Sequence, residues 1–572
     1  MIAVSEVSIV GDSKITDNLF GGNLLAPTVP LEGEGSYAEA IDYLGVDGLR
    51  FPGGSLTEYV FDITNPDQPI VYNPDLDVTW NMIGLTDFMN FANENGHPVT
   101  IVIPTRTQLT ENTDENGDRF AEVDEQDLRK FIGDLVGGEY GPAQVQAIEI
   151  GNEYWGSGQM NALEYGRVAS KMSQIIDDEL SQLGNYDVDI IVQKGNNYDY
   201  SRLSDDYEGV SPSEALSDIN FTYSLNLDDS AMYSDGTVNW AYVNARIVMS
   251  EFDTEEEWDS IDGVVTHVYS RGPAAETTRY FDLDQINKTW IEEKPELEIY
   301  ITEWNLKSEP NLNRDDDYGL FQAQEMLEIM EEFVRTGVDK AHVWPLIQNT
   351  ANPLAEGTEF TAATAPGEMF ALMSESLPGK VLLDLNPVAR DTEFQAGNVS
   401  THMFAGEGEL VLYVMNGSKE TGATADIDLS GFVSDYGGIE ALVLGVAEGS
   451  GAGDTSSPPT IDELGPEVIV DGYLEATLSP GEVMQVVLTD LVPSDAFAPV
   501  WDLANTTDPF VTIEEDGAGD TDDFPFPTVD VVEDDPVVDE PEADDGEDDE
   551  GFGLEYGLAL IILMGLSGFG LG

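Results

Sequence analysis

Two short segments hold the residues best suited to chemistry. Residues 148–155 read Ile-Glu-Ile-Gly-Asn-Glu-Tyr-Trp, and residues 299–305 read Ile-Tyr-Ile-Thr-Glu-Trp-Asn. Each begins as an apolar run with β-branched residues, which predicts a buried strand, and ends at a glutamate beside aromatic residues. A carboxylate in such surroundings is costly unless it has a task. Glu153 and Glu303 are therefore candidates for the paired carboxylates that cleave a glycosidic bond.

The composition limits the classes of partner. The chain has 572 residues, enough for two or three domains, and its 41% hydrophobic content is sufficient for packed cores. Its 112 acidic and 22 basic residues give a net charge of −90. Such a field repels nucleic acid and anionic membranes, so we expect neither as a partner. The charge is typical of the solvated surface of a marine or halophilic protein.

The rarity of metal-ligating side chains limits cofactors. The chain has no cysteine, which excludes disulfides, zinc–thiolate sites and thiol catalysis. Its histidines are His97, His267, His342 and His402, too few to favour a multi-histidine metal centre. We therefore expect no required cofactor.

Along residues 11–380, predicted strands alternate with predicted helices, and these elements must position the two glutamates. Eight short strands with amphipathic helices between them predict a (β/α)8 TIM barrel. A doubly wound open sheet is the competing interpretation, but it normally carries a glycine-rich phosphate loop, and Gly53-Gly54 lacks the third glycine. The predicted strands are 19–25, 48–51, 99–104, 147–151, 188–193, 263–269, 298–303 and 340–346, and the clearest helices are Leu85–Asn95, Ala162–Leu183 and Leu320–Thr336.

The pattern changes after the barrel. Short strands separated by turn residues over 381–490 predict an antiparallel β-sandwich, into which the N-terminal strand 4–10 could pair. Residues 491–550 are predicted to be an acidic, disordered linker and tail, since 514–550 holds nineteen Asp or Glu and no Lys or Arg. Residues 551–572 are apolar but interrupted by glycine, too short for a confident membrane span.

A barrel would bring the two glutamates together. Active sites of such barrels lie at the C-terminal ends of the strands, and Glu153 and Glu303 follow or end the fourth and seventh predicted strands, which face each other across the ring. Retention of anomeric configuration needs two carboxyl groups about 5–5.5 Å apart, one as nucleophile and one as acid/base. The acid needs a raised pKa, which a neighbouring carboxylate and aromatic cover would supply.

These motifs resemble those of a known clan. Gly151-Asn152-Glu153 and Thr302-Glu303-Trp304-Asn305 resemble the catalytic segments of clan A retaining glycoside hydrolases. The run 49–55, Leu-Arg-Phe-Pro-Gly-Gly-Ser, looks like the Arg-Trp-Pro-Gly-Gly-Asn turn of the α-L-arabinofuranosidase branch, which also pairs its barrel with a β-sandwich. The resemblance covers about residues 5–490.

The resemblance implies a role for each matching residue. Glu153 would be the acid/base and Glu303 the nucleophile. Asn152 would hydrogen-bond the sugar 2-hydroxyl, and Arg50 would keep the nucleophile ionised. Aromatic, histidine and amide side chains would complete the substrate-binding site: Trp155, His267, Tyr269, Trp304, Trp344 and Gln348.

The chain departs from that branch at two points, which leaves the substrate open. Ser55 stands where the branch has asparagine, and Tyr154-Trp155 follows the acid/base where many members have Met-Asp. We expect a plant or algal polysaccharide, or an oligosaccharide derived from one, as substrate. The alternatives are a carbohydrate-binding or surface-matrix protein whose barrel has lost activity, and a calcium-stabilised extracellular structural protein.

Two further expectations concern calcium and location. Asp114, Asn116 and Asp118 place oxygen ligands at alternate positions, as calcium loops do, but the distal bidentate glutamate is missing, so a plain acidic hairpin is the simpler interpretation. The N-terminus has no basic region followed by a long apolar core, so we expect no N-terminal signal peptide. The acidic and then apolar C-terminus favours a secreted or cell-surface protein exported through a C-terminal signal.

Overall fold

Eight parallel strands close into a barrel. The computed structural model describes residues 7–506 except 12, 28, 74–76 and 309–311. Hydrogen bonds join the barrel strands in chain order and the last strand pairs with the first, which excludes the open sheet. The strands are β1 (Gly21–Asn23), β2 (Leu49–Phe51), β3 (Val99–Ile103), β4 (Val145–Ile150), β5 (Asp189–Gln193), β6 (Gly263–Ser270), β7 (Glu298–Leu306) and β8 (Lys340–Val343).

The strand positions follow from their continuous hydrophobicity. Parallel strands that are covered on both faces read as apolar runs, and every residue of β3 is buried. All eight predicted strands are confirmed. The strand β7 continues past Glu303 to Leu306, and its pairing register shifts near Thr302. This extension carries Asn305 and Lys307 up to the mouth of the barrel.

Helices surround the barrel and bury their apolar stripes against it. The three helices predicted most clearly are confirmed, and their observed bounds match the predicted ones. Ala162–Leu183 begins at a capping box between Asn161 and Glu164, and it ends at Gly184, whose φ of 71° is left-handed. The helices are Tyr37–Leu44, Leu56–Val60, Leu85–Asn95, Glu125–Val136, Ala162–Leu183, Pro212–Thr222, Trp240–Met249, Glu255–Asp259, Phe281–Ile286, Leu320–Thr336, Ala365–Ser376 and Ala498–Ala504.

A β-sandwich follows the barrel. Its larger sheet runs in the order Ser8–Val10, Val381–Asp384, Val399–Gly406, Glu409–Asn416, Val483–Thr489, Gly438–Val446 and Pro459–Leu464, with Phe394–Ala396 paired to Val399–Gly406. The opposite layer holds Ala423–Asp428, Tyr473–Leu478 and Ile469–Val470, with Val433–Asp435 paired to Val492–Pro493. The N-terminal strand Ser8–Val10 thus lies on the edge of this sheet, antiparallel to Val381–Asp384.

The chain stays folded beyond the predicted end of the sandwich. Residues 491–506 were expected to begin a disordered linker, and this prediction is wrong for them. Val492–Pro493 forms a strand pair, and the helix Ala498–Ala504 buries Trp501 and Ala504 in the sandwich core. Burial of these apolar side chains stabilises the folded segment, whereas a solvated linker would leave them exposed to water. The predicted acidic tail after 506 and the apolar segment 551–572 lie outside the described residues.

A loop of the sandwich contacts the chain just after β7. Leu320 N donates to Ala452 O at 2.8 Å and Tyr318 N donates to Gly453 O at 2.9 Å. This contact fixes the segment between β7 and the helix Leu320–Thr336, and so supports the end of β7 where Glu303 lies. Among the helices of the described residues, none has both the length and the apolar content that crossing a bilayer requires.

Candidate active site

The turn after β4 aims Glu153 into the mouth of the barrel. Gly151 has φ of 81°, and a Cβ there would lie 2.9 Å from the side chain of Thr105. Glu153 itself has φ of 43°, a left-handed conformation that a non-glycine residue adopts at a cost of roughly 1–3 kcal/mol. Such strain persists only where the surroundings enforce it, and it clusters at functional sites.

Arg50 organises the centre of the site. Its side chain is fully buried, and its five N–H groups have five acceptors. Nε and Nη2 donate to the two oxygens of Glu149 at 2.7 and 2.9 Å, and Nη2 also donates to Asn152 Oδ1 at 2.8 Å. Nη1 donates to Glu303 Oε1 and to Asn23 Oδ1, both at 3.0 Å. Burial lowers the pKa of Arg50, but the charges of Glu149 and Glu303 outweigh it and raise the pKa overall.

Glu303 is held at both carboxylate oxygens. Oε1 accepts from Arg50, and Oε2 accepts from the Tyr269 hydroxyl at 2.8 Å. His267 Nδ1 lies 3.5 Å from Oε2. Burial and the negative charge of Glu303 raise the pKa of Tyr269 well above its usual range, so the phenol stays a donor. The carboxylate is therefore fixed in orientation with one face toward the mouth.

His267 bridges the two candidate catalytic carboxylates. Its Nδ1 lies 3.3 Å from Glu153 Oε1, and one oxygen of each glutamate and this nitrogen lie within 4.8 Å of one another. Retaining glycosidases hold their two carboxyl groups about 5–5.5 Å apart and inverting ones about 6.5–9.5 Å, so this close approach favours the retaining arrangement.

The acid/base does not carry the raised pKa expected from the sequence. Burial acts to raise the pKa of Glu153, but the hydrogen bond and charge of His267 lower it, and the lowering prevails. Burial likewise acts to lower the pKa of His267, and the charges of Glu303 and Glu153 raise it instead. The two shifts have one cause, since His267 and Glu153 each favour the charged form of the other across their 3.3 Å contact.

Sequence reasoning missed two buried glutamates that support the site. Glu149 neutralises Arg50, and its Oε1 also accepts from Thr302 Oγ1 at 3.2 Å. A single acidic residue inside the apolar run of β4 was the available signal. Glu58 lies on the helix Leu56–Val60 and accepts from the backbone nitrogens of Thr105, Arg106 and Asn152 at 2.9, 2.7 and 2.9 Å.

Glu58 therefore ties the loops after β3 and β4 together just before Asn152 and Glu153. Its pKa is raised, because burial outweighs the hydrogen bonds that act to lower it. Only its isolation among apolar residues in the segment after Gly53-Gly54 marks it in the sequence.

Two of the predicted tryptophans line the site. Trp155 is 8% exposed and packs against Tyr154, Tyr198 and His267, with ring centroids 5.2, 6.4 and 6.4 Å apart. Trp344 is half-buried after β8 and lies on the turn after β2, since a Cβ at Gly54 would be 2.8 Å from its Cη2 atom. The two glycines of that turn therefore make room for this indole.

Trp304 does not bind substrate, which corrects the prediction. It is fully buried and packs against Phe333 and Phe370 at centroid distances of 5.4 and 6.2 Å, in the layer between barrel and helices. Successive side chains of a strand point to opposite faces, so Glu303 inside the barrel puts Trp304 outside it. Gln348 lies in the short strand Ile347–Gln348, and its buried Oε1 has no hydrogen-bond partner among the described residues.

The candidate calcium loop uses its oxygens within the protein. Asp114 Oδ1 accepts from the backbone nitrogens of Asn116 and Asp118, and its Oδ2 accepts from Arg167 at 2.6 Å. Asp118 Oδ1 accepts from Asn161 Nδ2 at 2.6 Å. These contacts tie together the hairpin formed by Leu109–Thr113 and Arg119–Ala121.

Two groups in the described part of the chain have donor atoms close enough to hold a cation. One is the Glu153, His267 and Glu303 cluster, and the other is Glu331, Glu393 and His402 beneath the sandwich. In the second, His402 Nδ1 lies 2.8 Å from Glu331 Oε1, a hydrogen-bond distance, and the negative charges around it raise the pKa of His402 to about 9. In this second group, His402 and Glu331 form an ion pair.

The fold is similar to that of solved glycoside hydrolases. No protein-family profile and no curated sequence matches the chain. The α-L-arabinofuranosidase from Thermotoga maritima, solved as an arabinose complex, superposes with a TM-score of 0.55 at 16% identity, over 86% of this chain and 98% of that chain.

Two other structures superpose almost equally well. The GH51 arabinofuranosidase from Xanthomonas axonopodis pv. citri gives a TM-score of 0.54 at 15% identity, over 84% of this chain and 99% of that chain. A bifunctional glucanase-xylanase from a metagenome library gives 0.53 at 14%, over 84% of this chain and 98% of that chain. The chain has the barrel-and-sandwich fold of these glycoside hydrolase structures.

Proposed function

We propose that this chain is a retaining glycoside hydrolase in which Glu303 is the nucleophile and Glu153 the acid/base. The observation that carries the proposal is the pair of carboxylates joined by His267, with an oxygen of each within 4.8 Å of the other. Arg50 and Tyr269 hold Glu303 at both oxygens, which suits a nucleophile that must attack in one direction.

The two steps follow from where the protons lie. In the first, a Glu303 oxygen bonds to the anomeric carbon, the glycosidic C–O bond breaks, and Glu153 gives a proton to the leaving oxygen. His267 supplies that proton to Glu153 across the 3.3 Å contact. In the second, Glu153 takes a proton from water, whose oxygen bonds to the anomeric carbon and releases Glu303.

The finer proposal is an α-L-arabinofuranosidase-like activity on a plant or algal glycan. Two observations support it: the arabinofuranosidases among the similar folds, and the turn after β2, which brings Arg50 to the nucleophile and Gly54 against Trp344. The departure at Ser55 keeps xylosides and other glycosides in the panel of substrates to be tested.

The test is release of reducing ends from arabinans, xylans, galactans and β-glucans in high salt. Glu303→Gln should abolish release, while Glu296→Gln, an exposed glutamate near the start of β7, should leave it unchanged. Nuclear magnetic resonance of the first product should show the retained anomer. Azide should rescue Glu153→Ala with an activated substrate, because azide attacks the anomeric carbon in place of water, needs no general base, and releases Glu303 with formation of a glycosyl azide. No release from any substrate would favour the carbohydrate-binding alternative.

A further inference from the structure

Two basic residues stand side by side on the rim above the candidate nucleophile. Arg271 directly follows β6 and Lys307 directly follows β7. Ser270 is paired with Leu306 at the end of the ladder, and Lys307 N donates to Ser270 O at 2.8 Å. The backbone thus places residues 271 and 307 next to each other at the mouth of the barrel.

Strand alternation aims both side chains toward the mouth. His267 and Tyr269 on β6 reach Glu153 and Glu303, and Arg271 is two residues further along the same face. Lys307 is likewise an even number of residues beyond Glu303. The electrostatics agree, since burial and the charge of Arg271 lower the pKa of Lys307 while the charge of Glu153 opposes that lowering.

Arg271 is unusual among the described basic residues because it has no acidic partner. The protein has 112 acidic and 22 basic residues, yet half-buried Arg271 makes no ion pair with any carboxylate in the described part. Other basic residues near the mouth are engaged: Lys194 lies 2.8 Å from Asp282, and Arg106 lies 4.8 Å from the ring centroid of Tyr59. A guanidinium placed beside another cation repels it, and an anion bound by both would relieve that repulsion.

We propose that Arg271 and Lys307 bind an anionic group of the substrate, so that the glycosidase proposed above acts on an acidic glycan. The anionic group is a carboxylate or a sulfate ester. Two of its oxygens can accept parallel hydrogen bonds from the planar guanidinium of arginine. The charge of Glu153 acts on Lys307, which agrees with a position of both residues at the same end of the barrel.

The net charge of the chain means that an anionic substrate would need a local cationic site. A protein with a charge of −90 repels a polyanion at long range, and only a cationic rim beside the catalytic carboxylates would overcome this at contact. High salt screens the long-range repulsion more than it screens half-buried contacts.

The experiment uses matched substrate pairs with the full chain in high salt. One pair is a glucuronate-bearing xylan and the same polymer after carboxyl reduction, and the other is a sulfated galactan and its desulfated form. The readout is the ratio of kcat/KM on the acidic form to that on the neutral form. Arg271→Gln should lower this ratio about 10- to 100-fold for one pair, the range expected for hydrogen bonds to a charged group.

The controls separate this inference from the proposed function. Lys171→Gln removes an exposed positive charge on the helix Ala162–Leu183 and should leave the ratio unchanged, and Arg271→Lys should restore part of it. Binding of the acidic oligosaccharide to Glu303→Gln, measured by calorimetry, should weaken when Arg271→Gln is added. A ratio that Arg271→Gln leaves unchanged, or a wild type that prefers neutral polymers, would overturn the inference while leaving the glycosidase standing. Inactivity on every polymer would instead count against the proposed function.

Discussion

Arg50 Nη1 lies 3.0 Å from Glu303 Oε1, and the same guanidinium makes a two-point contact with Glu149. One buried cation therefore serves a candidate nucleophile and a second carboxylate that cannot reach substrate. Glu149 takes two of the five donors, and the fixed planar fork that results sets where Glu303 and Asn152 lie. Positioning at this site depends on the complete set of contacts.

Arg50→Lys should damage both folding and activity. An ammonium has three donors and cannot replace five, so buried acceptors of Glu149, Asn23 and Asn152 would lose partners. We expect the free energy of unfolding to fall by about 3–5 kcal/mol. Urea denaturation measures this, with Arg129→Lys as the control, because Arg129 pairs with partly exposed Glu125 and should cost less than about 1 kcal/mol. Equal losses in the two variants would contradict the network.

His267→Asn should move the alkaline limb of the kcat/KM profile to lower pH. The proton needed by the leaving group is shared by His267 and Glu153, and the pKa of His267 lies above its usual 6.5. Activity of the wild type is therefore lost only as the pH rises above that raised value. Without the imidazole only carboxyl groups hold the proton, and they release it at lower pH.

Activity measured from pH 4 to 10 on one substrate tests this, and Tyr269→Phe is the companion variant. It removes a donor to Glu303 but no proton-holding group of the pair, so its alkaline limb should stay closer to that of the wild type. An unmoved limb in His267→Asn would show that Glu153 alone sets it.

His342 should make the fold sensitive to acid. The imidazole lies inside the barrel with both nitrogens unpartnered among the described residues, and burial with the charges of Arg50 and Lys340 lowers its pKa to about 3. The unfolded chain binds a proton below pH 6.5 and the folded chain does not. Its contribution to stability is thus complete above 6.5 and is lost as the pH falls toward 3, at about 1.4 kcal/mol per unit.

His342→Leu should abolish that loss. Between pH 7.5 and pH 5.0 the wild type should lose about 2 kcal/mol more than the variant in urea denaturation at constant salt. The titration of all other groups cancels in this difference. Parallel curves for the two proteins would rule out a neutral buried imidazole.

Gly54→Ala should raise KM more than it lowers stability. Gly54 has φ of 60°, and its added methyl group would push the ring of Trp344, which we expect to form the floor of the sugar site. A shift of about 1 Å in a substrate-positioning group can reduce activity about 100-fold.

The matched control is Gly184→Ala, since Gly184 has φ of 71° and a Cβ there meets no atom. Both variants carry the conformational cost of alanine in the left-handed region, roughly 1–2 kcal/mol. Only Gly54→Ala contacts the site, and steady-state kinetics beside thermal melting separates the two effects. A KM equal to that of Gly184→Ala would remove Trp344 from the substrate-binding residues.

The periodicity of the sequence determined the barrel. The eight apolar runs, the helices at Leu85–Asn95, Ala162–Leu183 and Leu320–Thr336, and the sandwich strand Tyr473–Leu478 all depend on local hydrophobic pattern and capping. The same local signals placed Glu153 and Glu303 at strand ends, and the parallel arrangement of the strands then required them to face each other.

Tertiary contacts determined the residue roles that a local sequence pattern does not encode. The roles of Glu149 and Glu58 depend on partners about 100 and 94 residues away, at Arg50 and Asn152. The opposite placement of Trp304 and Glu303 follows from strand alternation, which is local, whereas the extension of β7 to Leu306 depends on pairing with its neighbours. The raised pKa of His267 likewise depends on Glu153 and Glu303, which the fold brings close to it, because a pKa responds to distances in space and not along the chain.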